Sequence, residues 1–177
     1  MAIHQPLLLI PLLITAGALA RAGEPAPERA VAEQARAACE TLVSGDLEKF
    51  VGWTHPKLVQ AMGGRERLVA ALKTGQRDMA RQGIQLVSAQ IRSKVELART
   101  SKDWFAIVPY DLEMTVPAGR VLVRTWLLGI SSDQAKTWTF VDGGTLNAAS
   151  VKRLFPNFPD QLTLPAKQPP QVEKNKS

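Results

Sequence analysis

An alternation of apolar and polar positions runs through residues 104–142 and is the longest regular pattern in the chain. Successive side chains of a β-strand point to opposite faces of a sheet, so the pattern predicts strands. Short turn-forming segments divide it into three pieces. The predicted strands are Trp104–Val116, Arg120–Ser131 and Thr137–Asp142.

Upstream of these strands, apolar residues recur at the three- and four-residue spacing of amphipathic helices. One helix is predicted from Glu28 to the Ser44-Gly45 stop, with three more after it: Leu47–Trp53 capped by Asp46, Pro56–Met62 capped by Thr54, and Arg65 to about Gln82. Ile84–Ala98 alternates imperfectly and predicts one or two strand pieces, the longer at about Gln90–Thr100. A short helix, Ala148–Leu154, is predicted with Asn147 as its N-cap.

This order of elements predicts an α+β fold, with the N-terminal helices packed on one face of a curved antiparallel sheet. A chain of 177 residues is long enough for one domain, which we place at residues 23–164. From Pro165 the chain is rich in Pro, Gln and Lys, and we expect residues 165–177 to form a disordered tail.

The N-terminus has the pattern of a signal peptide at residues 1–22. Pro6–Ala20 is apolar but too short to cross a bilayer, which takes about 20 apolar residues. Small residues then fit cleavage after Ala20 or Ala22. No Lys or Arg precedes the apolar run, which leaves an uncleaved anchor or a wrong start codon as alternatives. We expect a periplasmic or secreted protein with no stable membrane span.

Charge and composition exclude several classes of function. The net charge of +6 is spread along the chain, and no basic stripe predicts nucleic-acid binding. Cys39 is the only cysteine, and His55 is the only histidine beyond the predicted signal peptide. One Cys and one His cannot form the usual zinc or iron sites, so we expect no metal and no cofactor. We interpret Cys39 as a core residue and His55 as a residue that shapes a turn.

The third turn of the sheet region is similar to the Asp-box hairpin of sialidases and related propellers. The residues that carry the likeness are Ser131, Asp133, Ala135, Thr137 and Trp138, with Ala135 in the place of the motif's glycine. In those families the aspartate satisfies turn amides and the tryptophan packs beneath the turn, a structural role. A propeller needs repeated copies, and this chain has one.

The helix-then-sheet order also resembles the NTF2-like, or cystatin-like, superfamily, in which a curved sheet and helices enclose a conical pocket. Three segments carry this likeness: Gly45–Phe50, Met62–Gly64 and Trp138–Asp142. The resemblance implies either of two functions. One is a non-catalytic domain that binds a small molecule or a protein partner, and the superfamily's pairing through the sheet would allow a homodimer. The other is an isomerase, dehydratase or cyclase of the SnoaL or ketosteroid-isomerase kind. We favour the first, since no complete catalytic set is present, and assign no catalytic residue.

The turn after Val116 decides which residues would line such a pocket. A two-residue loop, Ala118-Gly119, places Arg124 opposite Glu113 on the outer face. A three-residue loop that starts at Pro117 places Arg124 opposite Leu112 and turns it inward. We favour the second, because proline and glycine then occupy their preferred turn positions. It predicts an inward-facing, aromatic pocket with Arg124 as the anchor for an acidic group, lined by Tyr110, Met114, Arg124, Trp126, Trp138 and Phe140.

Overall fold

The computed structural model describes residues 26–92 and 94–174, and it confirms the α+β fold. The predicted signal peptide lies outside the described residues. Five α-helices are described, α1 to α5: Pro27–Val43, Leu47–Trp53, Pro56–Ala61, Arg65–Arg81 and Ala148–Leu154. The described strands, β1 to β6, are Gln85–Ile91, Glu96–Arg99, Trp104–Val116, Gly119–Ser131, Thr139–Asp142 and Gln171–Lys174. Within the described ranges, no helix is both long enough and apolar enough to cross a membrane.

The six strands form one open antiparallel sheet built around the long hairpin of β3 and β4. Two short strands share each free edge of this hairpin. On the β3 side, β1 pairs with residues 110–115 and β2 with residues 104–107. On the β4 side, β5 pairs with residues 127–130 and β6 with residues 119–122. The sheet therefore has two halves along the strand direction. We call the half at the β3–β4 turn, with β1 and β6, its lower half, and the half with β2 and β5 its upper half.

The inner face of the sheet, defined as the face that carries Tyr110, packs against α1. The helix buries one stripe, Val31, Ala35, Ala38 and Cys39, as its spacing predicts. Against this stripe lie Ala106, Val108, Tyr110, Leu127, Trp138 and Phe140. All of these residues are less than about a tenth exposed, so the upper half of the inner face is a closed core.

The outer face of the sheet carries a second core that the sequence pattern did not predict. Phe105, Ile107, Trp126 and Leu128 project from this face. The C-terminal segment covers them with Val151 of α5, Phe155 and Leu162, all of which are buried. The predicted helix after Asn147 therefore closes the upper half of the outer face.

Helix ends follow the local chemistry closely. The Asp46 side chain accepts the Lys49 backbone N–H at 3.1 Å, and Asn147 forms a reciprocal capping box with Ser150, so both predicted caps are confirmed. The prediction of Thr54 as the cap of α3 is wrong. His55 occupies the cap position, and its Nδ1 accepts the Lys57 backbone N–H at 3.2 Å.

Several helix and strand ends differ from the sequence prediction by one or two residues, and two regions differ by more. The Ile84–Ala98 region forms two strands, and the longer is the first one, Gln85–Ile91, instead of Gln90–Thr100. A bulge at Val87 explains the imperfect alternation, because one extra residue shifts the register of β1. The tail also departs from the expected disorder, since Gln171–Lys174 pair with β4.

The hairpin between β4 and β5 has the internal bonding of an Asp-box. Asp133 accepts the backbone N–H groups of Lys136 and Thr137, and Trp138 donates its indole N–H to the Ala135 carbonyl at 3.0 Å. Ala135 has a φ of 67°, in the left-handed region that favours the glycine of the related motif. Trp138 is 1% exposed, so its ring lies in the core beneath the turn.

Candidate functional site

The β3–β4 turn contains Pro117 and Ala118, and neither predicted loop is correct. Val116 pairs with Gly119, and this register places Arg124 opposite Asp111. Cross-strand partners share a face, so Arg124 lies with the acidic residues on the outer face. The predicted inward direction of Arg124 and Trp126 is therefore wrong.

The structure divides the six residues predicted to line a pocket between the two faces. Tyr110, Trp138 and Phe140 lie in the closed core under α1. Met114 lies on the same inner face but lower, where it is half-buried. Arg124 and Trp126 lie on the outer face, and Trp126 is buried by the C-terminal segment. The six residues consequently do not surround one cavity.

An open cleft lies lower on the inner side, between the end of α1, the second half of α4 and the start of β1. Its volume is about 470 Å³, within the usual range for small-molecule sites. None of the twelve described residues that line it is charged. Their apolar members include Leu42, Val43, Leu72, Met79, Ile84 and Leu86, and the polar members Gln76 and Gln85 carry neutral amides.

The cleft is open because α4 packs on other helices. The buried residues of α4, Leu68 and Val69, lie in its first two turns and form an apolar cluster with Val51 of α2. Leu72 and Met79, further along the same helix, are only half-buried. The second half of α4 thus stands away from the sheet and leaves its apolar side chains facing the cleft.

The glycine that follows α1, Gly45, lies close to the Gln76 side chain of α4. Gly45 follows α1 with a φ of 76°, which allows the chain to reverse toward α2. A Cβ atom at this position would lie 2.7 Å from Nε2 of Gln76. The Gln76 amide therefore rests against the Gly45 backbone, at the edge of the apolar lining.

The apolar lining continues across the lower half of the inner face. Leu86, which lines the cleft, pairs with Met114, Met114 with Val121, and Val121 with Val172 of β6. These four residues form one row across four strands and share a face. The first three are half-buried and Val172 is 56% exposed, so the row remains accessible to an apolar molecule.

The buried Cys39 and Tyr110 side chains and the half-buried His55 are held in their neutral forms near pH 7. Burial raises the pKa of the Cys39 thiol to about 12, and burial together with the nearby Asp142 raises the pKa of Tyr110. Burial and the positive charge of Lys57 lower the pKa of His55 to about 4. The His55 ring also stands edge-on to Phe155, with 4.9 Å between ring centres. The prediction that His55 shapes a turn agrees with this geometry.

The cleft can bind, but its lining supplies no acid, base or nucleophile. Over the described ranges, no group of three or more His, Cys, Asp or Glu side chains is placed to hold a metal ion. One signal for the cleft was present in the sequence, namely the helical face that contains Leu72, Gln76 and Met79. It could not be recognised as a cleft before the direction of α4 relative to the sheet was known.

The structure thus combines an α+β domain with an uncharged, apolar cleft. No protein-family model matches the chain, and no curated protein matches it.

Proposed function

We propose that the protein is a non-catalytic binding domain that takes a small, uncharged, apolar molecule into the cleft between α1, α4 and β1. The observation that carries this proposal is the cleft's composition: about 470 Å³ of space lined entirely by uncharged residues. Apolar surface is driven out of water by roughly 25 cal/mol for each Å² buried, and no ligand charge would find a partner in this lining. The acidic ligand expected from Arg124 loses its basis, because Arg124 lies on the other face.

A titration with the neutral fluorescent probe N-phenyl-1-naphthylamine tests this proposal. The purified protein should give a saturable rise in probe fluorescence. Ala71→Phe should abolish most of the rise, because Ala71 lines the cleft and a phenyl ring would fill part of it. Ala70→Phe is the matched control, since Ala70 is exposed on the same helix and does not line the cleft. Thermal melts of both variants confirm that they are folded.

Equal probe binding by the two variants would overturn the assignment to this cleft, and a wild-type protein that binds no probe would overturn the proposal itself. Mass spectrometry of small molecules that copurify with the protein then addresses the natural ligand. Uncharged apolar compounds are expected.

The alternative function, a ketosteroid-isomerase-like enzyme, draws on one observation. Tyr110 and Asp142 are close enough for the carboxylate to raise the tyrosine's pKa. However, Asp142 also accepts the Gly144 backbone N–H at 2.9 Å and caps the 3₁₀ turn Gly143–Thr145, which is a structural role. An isomerase activity lost in both Tyr110→Phe and Asp142→Asn would favour this alternative over binding alone.

We also propose export, on the strength of the predicted signal peptide, and an NTF2-like ancestry, on the resemblance in chain order. N-terminal sequencing of the protein recovered from the cell envelope or medium tests export. A chain that begins at Gly23 or Arg21 is expected, and an intact Met1 on a membrane-bound chain would contradict it.

A further inference from the structure

The pairing between β4 and β6 stops where the tail's prolines begin. Gly119–Leu122 pair in order with residues 174 down to 171, and the same register would place Pro170 opposite Val123 and Pro169 opposite Arg124. Proline has no backbone N–H to give to a neighbouring strand. The next pairing on this edge of β4, with β5, begins only at Leu127. Residues 123–125 therefore have no strand partner on this side within the described part of the chain.

The strand that fills the lower part of this edge is lightly held. Gln171, Val172 and Glu173 are all exposed, and so is every residue from Pro165 to Pro170. Strand β6 is thus retained by a four-residue ladder with almost no apolar burial. Segments held this way open at low free-energy cost, so another strand can displace β6.

Side chains along the edge specify what such a strand should carry. Arg120 and Arg124 face outward, whereas Val121 and Val123 face the inner side with Met114 and Leu112. The tail already matches this pattern at two positions, with Glu173 opposite Arg120 and Val172 opposite Val121. It does not match at Val123 and Arg124, where the same register would place Pro170 and Pro169.

Because of this mismatch, the tail has no carboxylate opposite Arg124. Its cross-strand neighbour, Asp111, makes its ion pair with Arg92, at 4.0 Å between Nε and Oδ1. Arg120, in contrast, is already bonded to Glu113 at 2.5 Å. Within the described residues, Arg124 is half-buried and has no ion pair of its own.

We propose that the edge of β4 from Gly119 to Thr125 binds an extended peptide of another protein by strand addition, and that β6 occupies part of this site until the peptide displaces it. The peptide runs antiparallel to β4. It carries β-branched apolar residues opposite Val121 and Val123, carboxylates opposite Arg120 and Arg124, and no proline between them. Such a peptide pairs with seven residues of β4, against four for β6, and it supplies Arg124 with a counter-charge.

A fluorescein-labelled peptide of residues 167–174 that carries Pro169→Glu and Pro170→Val tests this site in the full-length protein. Its sequence is Lys-Gln-Glu-Val-Gln-Val-Glu-Lys, and the unchanged tail sequence is the control peptide. Fluorescence anisotropy should show saturable binding of the changed peptide, at least about tenfold tighter than the control, because three more residues pair. No binding, or equal affinity for the two peptides, would overturn the proposal.

Two variants of the protein should shift the affinity in opposite directions. Arg124→Gln should weaken binding of the changed peptide up to about fivefold, the range of an exposed ion pair, whereas Arg36→Gln on α1 should leave it unchanged. The double variant Val172→Pro/Glu173→Pro should tighten binding. One of two adjacent strand residues points its N–H at β4, so the pair of prolines weakens the competing β6. An unchanged affinity in the double variant would place the peptide elsewhere and contradict the proposal.

The same two changes made in the full-length chain, Pro169→Glu and Pro170→Val, give a further check. The lengthened tail strand should then close the edge within one molecule and reduce peptide binding. A dimer of this variant in sedimentation experiments would show that the edge takes the tail of a second copy, which would overturn the assignment to a different protein.

Discussion

Replacing Trp138 by alanine tests the view that the Asp-box-like hairpin is a structural anchor of the domain. The indole is 1% exposed and lies among Val31, Ala106 and Gly129. A Cβ atom on Gly129 would be only 3.2 Å from Cε3 of the ring, so the ring is closely packed and its removal would leave a cavity. We therefore expect a cost near the full range for removing a large buried ring, about 3–5 kcal/mol.

Loss of the indole N–H adds to that cost. Trp138 donates to the Ala135 carbonyl at 3.0 Å, and Ala135 is 5% exposed, so the carbonyl would lose its partner in a buried place. Such a loss costs about 1 kcal/mol or more. The total is a large fraction of the 5–15 kcal/mol that stabilises a typical domain, and it corresponds to a fall in melting temperature of roughly 10–20 °C.

Urea denaturation followed by far-UV circular dichroism measures this loss without depending on the tryptophan signal. Trp138→Phe keeps most of the packing and should lose only about 1–2 kcal/mol. Trp104→Ala is the control for a half-buried tryptophan at the sheet's end and should cost less than Trp138→Ala. If Trp138→Ala unfolds at the wild-type urea concentration, or no earlier than Trp104→Ala, the hairpin is not a structural anchor of the domain.

Three further predictions concern single positions. Gly143→Ala should destabilise the fold by about 1–3 kcal/mol, because its Cβ would overlap the Trp126 ring and lie 2.6 Å from the Trp126 carbonyl. Gly144→Ala is the control and should cost little stability, since its Cβ would meet nothing nearer than 3.3 Å. Denaturation curves compare the two variants. Burial lowers the pKa of His55 from 6.5 to about 4, so between these pH values the imidazole binds a proton in the unfolded chain but not in the folded one. Stability should therefore fall as the pH drops from about 6.5 to 4. His55→Asn, which keeps a cap acceptor, should flatten that part of the stability–pH curve, and an unchanged curve would contradict the assignment. Cys39, 3% exposed with a pKa raised to about 12, should react with Ellman's reagent only after unfolding, and rapid labelling of the native protein would contradict its burial.

Features determined by residues close together in the chain could be predicted from the sequence. The N-caps at Asp46 and Asn147 depend on a side chain and an amide three residues away. The Ser131–Trp138 hairpin closes on its own hydrogen bonds, and the apolar stripe of α1 follows from helical spacing alone. The α+β order was readable for the same reason: local periodicity identifies helices and strands before they pack.

Which side chains share a face, and where space remains, depends on contacts between residues far apart in the chain. A shift of one residue in the pairing after Val116 turns every side chain of β4 to the opposite face of the sheet. The register is set by contacts along both strands. Turn preference alone therefore gave the wrong direction for Arg124. The C-terminal segment covers Trp126 through contacts distant in sequence. The cleft exists because α4 buries Leu68 and Val69 against α2 instead of the sheet. The residues that line it therefore come from elements whose separation depends on the packing of the whole domain.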